Sequence, residues 1–176
     1  MKKFIVIFFA ILVLLFFSGN YTKEEIIIPN ESIRIRVIAN SNSENDQKLK
    51  SEVKKSIQLQ LNHMLKDASN IDEVRQILKE NLNDVEYTVE KTISNYKTDN
   101  NNFDINFGYN YFPQKTYKGI NYEEGYYESV VISLGKSSGD NWWCVLFPPL
   151  CLVDEEENME EIEYKSFIKE ILNKYF

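Results

Sequence analysis

The chain has 176 residues, of which 43% are hydrophobic and 14% aromatic, so it is long enough to form one domain around a sizeable core. Its formal net charge of −7 argues against nucleic acids and anionic lipid surfaces as partners, because like charges repel. With only 6 glycines and 4 prolines, the composition also argues against extensive disorder.

An export segment is predicted at the N-terminus. Lys2 and Lys3 precede an uncharged apolar run from Phe4 to Phe17, which Ser18 ends. This order is typical of a secretion signal, and the run is short for a full membrane span; a buried core helix is the alternative. No A-x-A pattern follows, so residues 1–20 are predicted either to be cleaved as a signal peptide or to stay as a short membrane anchor. Residues 21–31 are predicted to be a linker.

The next segment predicts a strand followed by a helix. Ile33–Ile38 alternates apolar and basic residues, which indicates a strand with one face in water. Arg34 and Arg36 are interpreted as that solvated face, although they are also candidates for a binding patch. Ser43 and Asp46 have the spacing of a helix N-cap. Apolar residues then recur at every fourth position and predict one buried helix stripe: Leu49, Val53, Ile57, Leu61 and Leu65.

A second long helix is predicted from Ser69 or Asn70 to Tyr96. Acidic residues follow its start, where the positive end of the helix dipole favours them. Its apolar positions are spaced by threes and fours throughout, which predicts a single buried stripe. A bend is expected near Asn81.

Three strands are predicted in the second half of the chain. Phe103–Tyr111 alternates apolar and polar residues, which indicates a half-buried strand. Phe112–Gly125 is interpreted as an irregular connection. Tyr127–Leu134 is predicted to be an interior strand that forms a wide hairpin with Trp142–Phe147 across the 135–141 loop.

The run Trp142–Phe147 is unbroken and apolar, which predicts a central strand that is buried on both faces. Pro148 must end it, because proline has no N–H for the strand ladder. Trp142 and Trp143 are adjacent on the strand, so their side chains are expected to point to opposite faces.

The last segment has a different character. Residues 154–163 hold seven acids and no base, and an apolar helical stripe follows them. Residues 155–176 are therefore predicted to form an acidic linker and an amphipathic helix, which is expected to dock because an apolar stripe in water promotes adhesion. The order strand, helix, helix, strand, strand, strand predicts an α+β fold: a mostly antiparallel sheet of about four strands packed against two long helices, plus the C-terminal helix.

Three segments carry a resemblance to a known family. Asn141–Cys151 with Val153 and Asp154 resembles the signature of the stage II sporulation protein R family. Ile35–Ser43 with Asp46–Lys50, and Phe112–Gly119, are similar to two further segments of that family. Residues 32–154 are accordingly predicted to be a single α+β signalling domain.

The resemblance implies a function. Members of that family are secreted by the forespore of endospore-forming bacteria and stimulate a membrane-embedded aspartic protease of the mother cell. That protease then cleaves the precursor of a sporulation sigma factor. The resemblance thus implies an exported intercompartmental signal that acts between forespore and mother cell.

Catalytic motifs are not found in the residues themselves. The single histidine, His63, is interpreted as a surface residue of the first helix, and no G-x-S-x-G sequence occurs. Gly135-Lys136-Ser137 lacks the earlier glycine of a phosphate loop, and two cysteines with one histidine do not make a zinc site. The prediction is a protein without enzymatic activity, cofactor or metal; an exported cell-wall hydrolase and a structural envelope protein are the alternatives.

A partner-binding patch is predicted around the signature, because aromatic residues and rigid prolines lose little freedom on binding. The alternative for the tryptophans is that both belong to the core. The Lys115–Tyr122 connection is the second place to look. The candidate residues are Asp140, Asn141, Trp142, Trp143, Phe147 and Pro148, with Lys115 and Tyr117.

Cys144 and Cys151 are the two cysteines of the chain. An even count in an exported chain suggests a disulfide, and the two prolines between them would turn the chain back. Two reduced, buried thiols are the alternative.

Overall fold

The computed structural model describes residues 26, 28–96, 102–150 and 160–176. Ten elements follow in chain order: β1 (Ile33–Ile38), α1 (Glu44–Leu65), α2 (Ile71–Glu80), α3 (Leu82–Asn95), β2 (Phe103–Phe112), β3 (Lys115–Tyr117), β4 (Ile120–Tyr122), β5 (Gly125–Leu134), β6 (Asn141–Phe147) and α4 (Glu161–Tyr175). The predicted α+β class with a C-terminal helix is confirmed. The predicted signal peptide or anchor, residues 1–20, lies outside the described residues. Within the described ranges, no helix has both the length and the apolar character needed to cross a membrane.

The helices begin and pack as their sequences predict. The Ser43 hydroxyl accepts a hydrogen bond from the Asp46 backbone N–H at 3.2 Å, which caps α1. Asn70 caps α2 in the same way, accepting from the Glu73 N–H at 3.0 Å. The predicted bend is confirmed at Asn81, where the second long helix divides into α2 and α3. All five residues of the predicted α1 stripe are buried.

The four long strands form one sheet in the order β2-β5-β1-β6. β1 runs parallel to β5 and antiparallel to β6, and β2 runs antiparallel to β5. The predicted hairpin between Tyr127–Leu134 and Trp142–Phe147 is therefore wrong, because β1 lies between those strands. The prediction of a central position for Trp142–Phe147 is also wrong, since β6 ends the sheet. An apolar run shows that both faces are covered, and it contains no information about hydrogen-bonded neighbours.

The sheet carries a hydrophobic layer on each face. On the first face, Ile33, Ile35 and Val37 of β1 pack with the buried stripes of α1, α2 and α3. On the second face, Phe112, Tyr127, Trp143 and Val145 pack beneath the β3–β4 hairpin and α4. The docking of the C-terminal helix is thus confirmed, through Tyr164 and Ile168. Ile26 and Ile28, from the segment predicted to be a linker, are buried in this second layer.

The segment Phe112–Gly125 is more ordered than predicted. It contains the two-stranded hairpin β3–β4, in which Lys115 pairs with Tyr122 and Tyr117 with Ile120. The turn between the strands uses Lys118 and Gly119, both at positive φ, where glycine has no steric cost. The interpretation of this segment as an irregular connection is therefore wrong for residues 115–122.

Candidate functional site

The loop before β6 crosses the end of β1 and closes a polar corner, which we call the β1–β6 corner (residues 39–43 with 138–140). The backbone N–H groups of Ser138 and Gly139 donate to the carbonyls of Asn40 and Ala39, at 3.2 and 3.0 Å. The Ser138 hydroxyl donates to the Asn40 carbonyl at 2.7 Å. These bonds join the end of β1, whose segment resembles the family, to the residues directly before the family signature, which lie far away in the sequence.

Hydrogen bonds around Asn42 and Asp140 connect the corner to α1. The Asp140 backbone N–H donates to Asn42 Oδ1 at 2.6 Å, and Gln47 Nε2 donates to the same oxygen at 3.3 Å. Lys50 Nζ donates to the Asp140 carbonyl at 3.3 Å. The backbone of Asp140 is therefore fixed by three partners, counting its carbonyl contact with the Ala39 N–H.

Gly139 is required at this corner for a steric reason. An added Cβ would lie 2.3 Å from the Ser41 carbonyl oxygen and 2.4 Å from its carbon. Backbone atoms of Ser41 cannot move aside as a flexible side chain can. The close approach of the two segments thus depends on the absence of a side chain at residue 139.

The Asp46 side chain accepts hydrogen bonds from a hydroxyl and an amide group of the same corner. Its carboxylate accepts hydrogen bonds from Ser41 Oγ and, at 3.0 Å, from Asn40 Nδ2. The hydrogen bond from Ser41 is the largest cause that lowers the pKa of Asp46, and bonds from Asn40 and Ser43 act in the same direction. Asn40 in turn accepts from the Lys136 N–H at 2.9 Å, so Asp46 is linked to the loop before β6.

We expect the corner to make stability depend on acid pH. Because the pKa of Asp46 is lower in the folded state, the unfolded state binds more protons as the pH falls. The contribution is complete above the unfolded aspartate pKa of about 4 and is lost as the pH falls through the lower folded value. Urea denaturation of the full-length protein between neutral and acid pH measures this. The Asp46→Asn variant should have a lower free energy of unfolding than wild type at neutral pH, and that free energy should change less as the pH falls. A variant with the same pH dependence as wild type would contradict this role for Asp46.

The predicted residues Asp140, in the corner, and Asn141, directly after it, both have exposed side chains, as do Asn42, Ser43 and Ser138 of the corner. The Asp140 carboxylate has a long contact with Asn42 Nδ2, at 3.4 Å, and is otherwise open to solvent. Trp142 lies on the first face of the sheet and is half-buried. Lys54 Nζ of α1 is 5.1 Å from its ring centroid. Asp140 and Trp142 therefore both lie beside α1, whereas Asn141, which pairs with Ile38 at the start of β6, belongs to the opposite face of the sheet.

The other predicted residues lie elsewhere. Trp143 points to the opposite face from Trp142, as predicted, and is 7% exposed. Phe147 and Pro148 are buried at the far end of β6, about 20 Å from Asn141 at the rise of a β-strand. Lys115 lies over the second face, with its Nζ 5.1 Å from the Trp143 ring centroid. The eight candidates therefore form three groups and not one patch: the first at the start of β6, the second in the second layer, and the third at the end of β6.

Tyr117 belongs to the second group and contacts α4. Its ring meets that of Tyr164 edge-on at 5.4 Å between centroids. The hydroxyls of Tyr122 and Tyr164 are hydrogen-bonded at 2.7 Å within the second layer. Through these contacts α4 covers part of the Lys115–Tyr122 segment, which is the second place predicted for partner binding.

Arg34 is buried in the second layer, and its interpretation as a solvated residue is wrong. It is 1% exposed, and its Cζ lies 3.3 Å from the Tyr127 ring centroid, 5.0 Å from that of Trp143 and 5.3 Å from that of Phe112. Burial lowers the pKa of the Arg34 guanidinium, and Tyr127 opposes that shift. Aromatic faces take the place of a counter-ion here, because the ring quadrupole attracts a cation. Among the residues that the structure describes, its Nε and Nη1 have no hydrogen-bond partner.

Arg36 is half-buried beside Arg34. Its Nη2 donates to the Tyr111 carbonyl at 3.1 Å, and its Cζ lies 4.6 Å from the Phe112 centroid. Burial lowers its pKa as well. The second face of β1 is therefore an aromatic-covered basic stripe and not the wet face that the alternation suggested.

The thiol prediction is only partly covered by the structure. Cys144 is half-buried on β6 and faces the first layer. Its proposed partner Cys151 lies outside the described residues, so the disulfide stays a prediction.

Possible metal and catalytic groups are sparse where the structure describes the chain. In those ranges, no group of three or more His, Cys, Asp or Glu side chains could hold a metal ion. His63 is exposed on α1, as interpreted.

Several corner residues were missed as site residues by the sequence reasoning: Asn40, Ser41, Asn42, Asp46 and Gln47. Their segment had been noted for its resemblance, and the S-x-x-D spacing identified the helix cap alone. The sequence feature that could have identified them is the run of Asn and Ser at residues 40–43, directly after the strand β1. Such residues bond readily to nearby backbone groups and therefore indicate an organised turn.

Comparison with known proteins gives the family. The family model described as stage II sporulation protein R matches residues 29–157. The stage II sporulation protein R of Bacillus subtilis (strain 168) is 34% identical over 166 residues, which cover 88% of this chain and 73% of the relative. No solved structure matches the chain. The chain belongs to the stage II sporulation protein R family, and its role is in sporulation.

Proposed function

We propose that this protein is an exported signal that activates a membrane-embedded aspartic protease of the mother cell, which then processes the precursor of a sporulation sigma factor. It acts in the space between forespore and mother cell, with residues 1–20 directing export or serving as a short anchor. Family membership supports the sporulation role. One structural observation supports recognition by contact: the exposed side chains of Asp140 and Asn141 stand on a backbone fixed by hydrogen bonds.

A fixed backbone favours recognition because less conformational freedom is lost when a partner binds. Asp140 offers a carboxylate on the side of the half-buried Trp142 ring, and Asn141 offers an exposed amide at the start of β6. In protein interfaces, polar groups are typical of the rim and aromatic side chains are typical of the centre. The contact surface we propose is therefore the end of β6 at Asp140 and Asn141, together with Trp142.

Activation requires that the signal bind the active state of the protease more tightly than its inactive state. The difference between the two affinities sets how far the equilibrium can move. A rigid surface suits this purpose, because it fits one arrangement of the partner and fits another poorly. Neither a nucleophile nor a metal in the signal itself is needed for this step.

The test is reconstitution of the full-length protein with the protease in membranes, with cleavage of the sigma factor precursor measured against the dose of signal. Wild type should stimulate cleavage. We expect Asp140→Ala and Asn141→Ala to raise the half-maximal dose by about tenfold, the loss typical of a central contact. Thermal melts should be unchanged, because the backbone of Asp140, and not its side chain, makes most of the corner bonds.

Asp67→Ala is the matched control. Asp67 is an exposed acid after α1 whose contact with Lys66, at 3.9 Å, is long and exposed. Its removal should leave the dose–response curve unchanged. No stimulation by wild type would refute the proposed function. Full stimulation by both corner variants at limiting dose would move the contact surface elsewhere and leave the function intact.

A further inference from the structure

The strand β2 forms the edge of the sheet opposite β6, and its sequence carries little protection against pairing. Its ten residues pair with β5 from Phe103 to Phe112 without any register shift. No strand in the described ranges pairs with its other side. Natural edge strands are usually blunted by charged side chains, above all lysine, or by proline, a bulge or short length. Apart from Asp104 near its start, β2 has none of these within Phe103–Phe112, so it presents a long, regular template for an added strand.

Three exposed tyrosines lie at one end of this edge, and we call Tyr109, Tyr111 and Tyr126 the tyrosine patch. Tyr109 and Tyr126 are each 73% exposed, and Tyr111 is 46% exposed. Tyr111 and Tyr126 are opposite each other across β2 and β5, with ring centroids 5.6 Å apart. Tyrosine is enriched at interfaces because its ring buries a large area at a small entropic cost.

The charges that face the tyrosine rings are acidic, although Arg36 reaches the Tyr111 carbonyl from the second face. Tyr111 donates its hydroxyl to Glu124 at 2.9 Å, and this bond is the main cause that raises the pKa of Tyr111. Glu123 is exposed beside Glu124. Arg75 is close to this end of the sheet, but its guanidinium is bound to Glu128 and Asp72. Carboxylates and open tyrosine faces both attract lysine or arginine.

We propose that β2 binds an extended, basic segment of a partner protein as an added strand, with its lysine or arginine side chains over the tyrosine patch and beside Glu124. Main-chain hydrogen bonds along the edge would give affinity, and alternate side chains would give specificity. This surface is distinct from the β1–β6 corner, since Tyr111 and Asn141 lie at opposite ends of the sheet. The inference does not rest on the proposed protease partner.

A second copy of the chain suits this edge poorly. A symmetric pair of β2 edges would run antiparallel. The Glu124 end of one copy would then lie beside the Asp104 end of the other, and both are acidic. The like charges and the net charge of −7 oppose such a pair, whereas a basic strand is attracted.

The experiment is hydrogen exchange of the full-length protein, in mild detergent, with a short synthetic peptide that alternates lysine and valine. We expect the peptide to protect backbone amides of β2, and a matched peptide alternating glutamate and valine to leave them unprotected. Tyr109→Ala combined with Tyr126→Ala should weaken peptide binding by about tenfold, as is typical when aromatic contacts are removed. Tyr87→Ala, which removes a 63% exposed tyrosine of α3, should leave peptide binding unchanged.

Three results would overturn the proposal. The first is the absence of β2 protection by the lysine peptide. The second is equal binding by the double tyrosine variant and wild type, with both proteins melting alike. The third is protection of β2 by protein concentration alone, together with a dimer in sedimentation, which would assign the edge to a second copy.

Discussion

Gly139→Ala is expected to destabilise the protein by about 3 kcal/mol, the upper part of the range for overpacking. The new Cβ would approach three backbone atoms of Ser41, at 2.3, 2.4 and 2.9 Å. Separating the two segments would strain the hydrogen bonds from Ser138 and Gly139 to the end of β1. Urea denaturation of the full-length protein measures the loss as a lower midpoint.

Gly108→Ala is the control for this substitution. A Cβ at Gly108 would meet a single atom, Asn106 Oδ1, at an ordinary 3.6 Å. The effect should stay within about 1 kcal/mol in either direction, because alanine also reduces the freedom of the unfolded chain. If the two alanine variants unfolded at the same urea concentration, the close contact of Gly139 with Ser41 would not be a determinant of the fold.

The periodicity of side chains predicted which positions are buried. The α1 stripe at every fourth residue is buried throughout, and the threes and fours after Asn70 correctly indicated a helical segment with a bend at Asn81. Trp142 and Trp143 face opposite layers because successive residues of a strand alternate. These predictions succeeded because each depends on local geometry.

The order of the strands could not be predicted in the same way. Trp142–Phe147 is buried on both faces by helices and by the second layer, and this burial was mistaken for a central position. β1 takes the position between β5 and β6 because the loop before β6 passes over Ala39 and Asn40. That crossing brings together residues whose sequence separation carries no periodic signal.

The charged stripe of β1 was misread for a similar reason. An alternation of isoleucine and arginine is the same whether the arginine face meets water or aromatic rings. Arg34 is covered because Phe112, Tyr127 and Trp143 arrive from three other strands. The candidate site was partly predicted, since Asp140 and Asn141 are exposed at the signature, but the Asn42 and Asp46 contacts that hold them depend on that same crossing.

Trp143→Ala is expected to cost about 3–5 kcal/mol, as for other buried aromatic residues. Its ring packs edge-on against Phe112 and Tyr122, each at 5.4 Å between centroids. Removal would leave a cavity in the second layer and take away one of the three rings around Arg34. The buried Arg34 guanidinium would then lose one of its attractive aromatic contacts, which would lower the free energy of unfolding further.

Trp142→Ala is the matched control, since it removes the same side chain from the neighbouring residue and the opposite face. Because Trp142 is only half-buried, its removal should lower the free energy of unfolding clearly less. Its contact with Lys54 is partly in water and should therefore contribute little to stability. Urea denaturation of both full-length variants followed by circular dichroism compares them. A loss for Trp143→Ala no larger than that for Trp142→Ala would mean that the second layer contributes little to cooperative folding. A much larger loss would show that packing of the second layer around Trp143 contributes strongly to the stability of the protein.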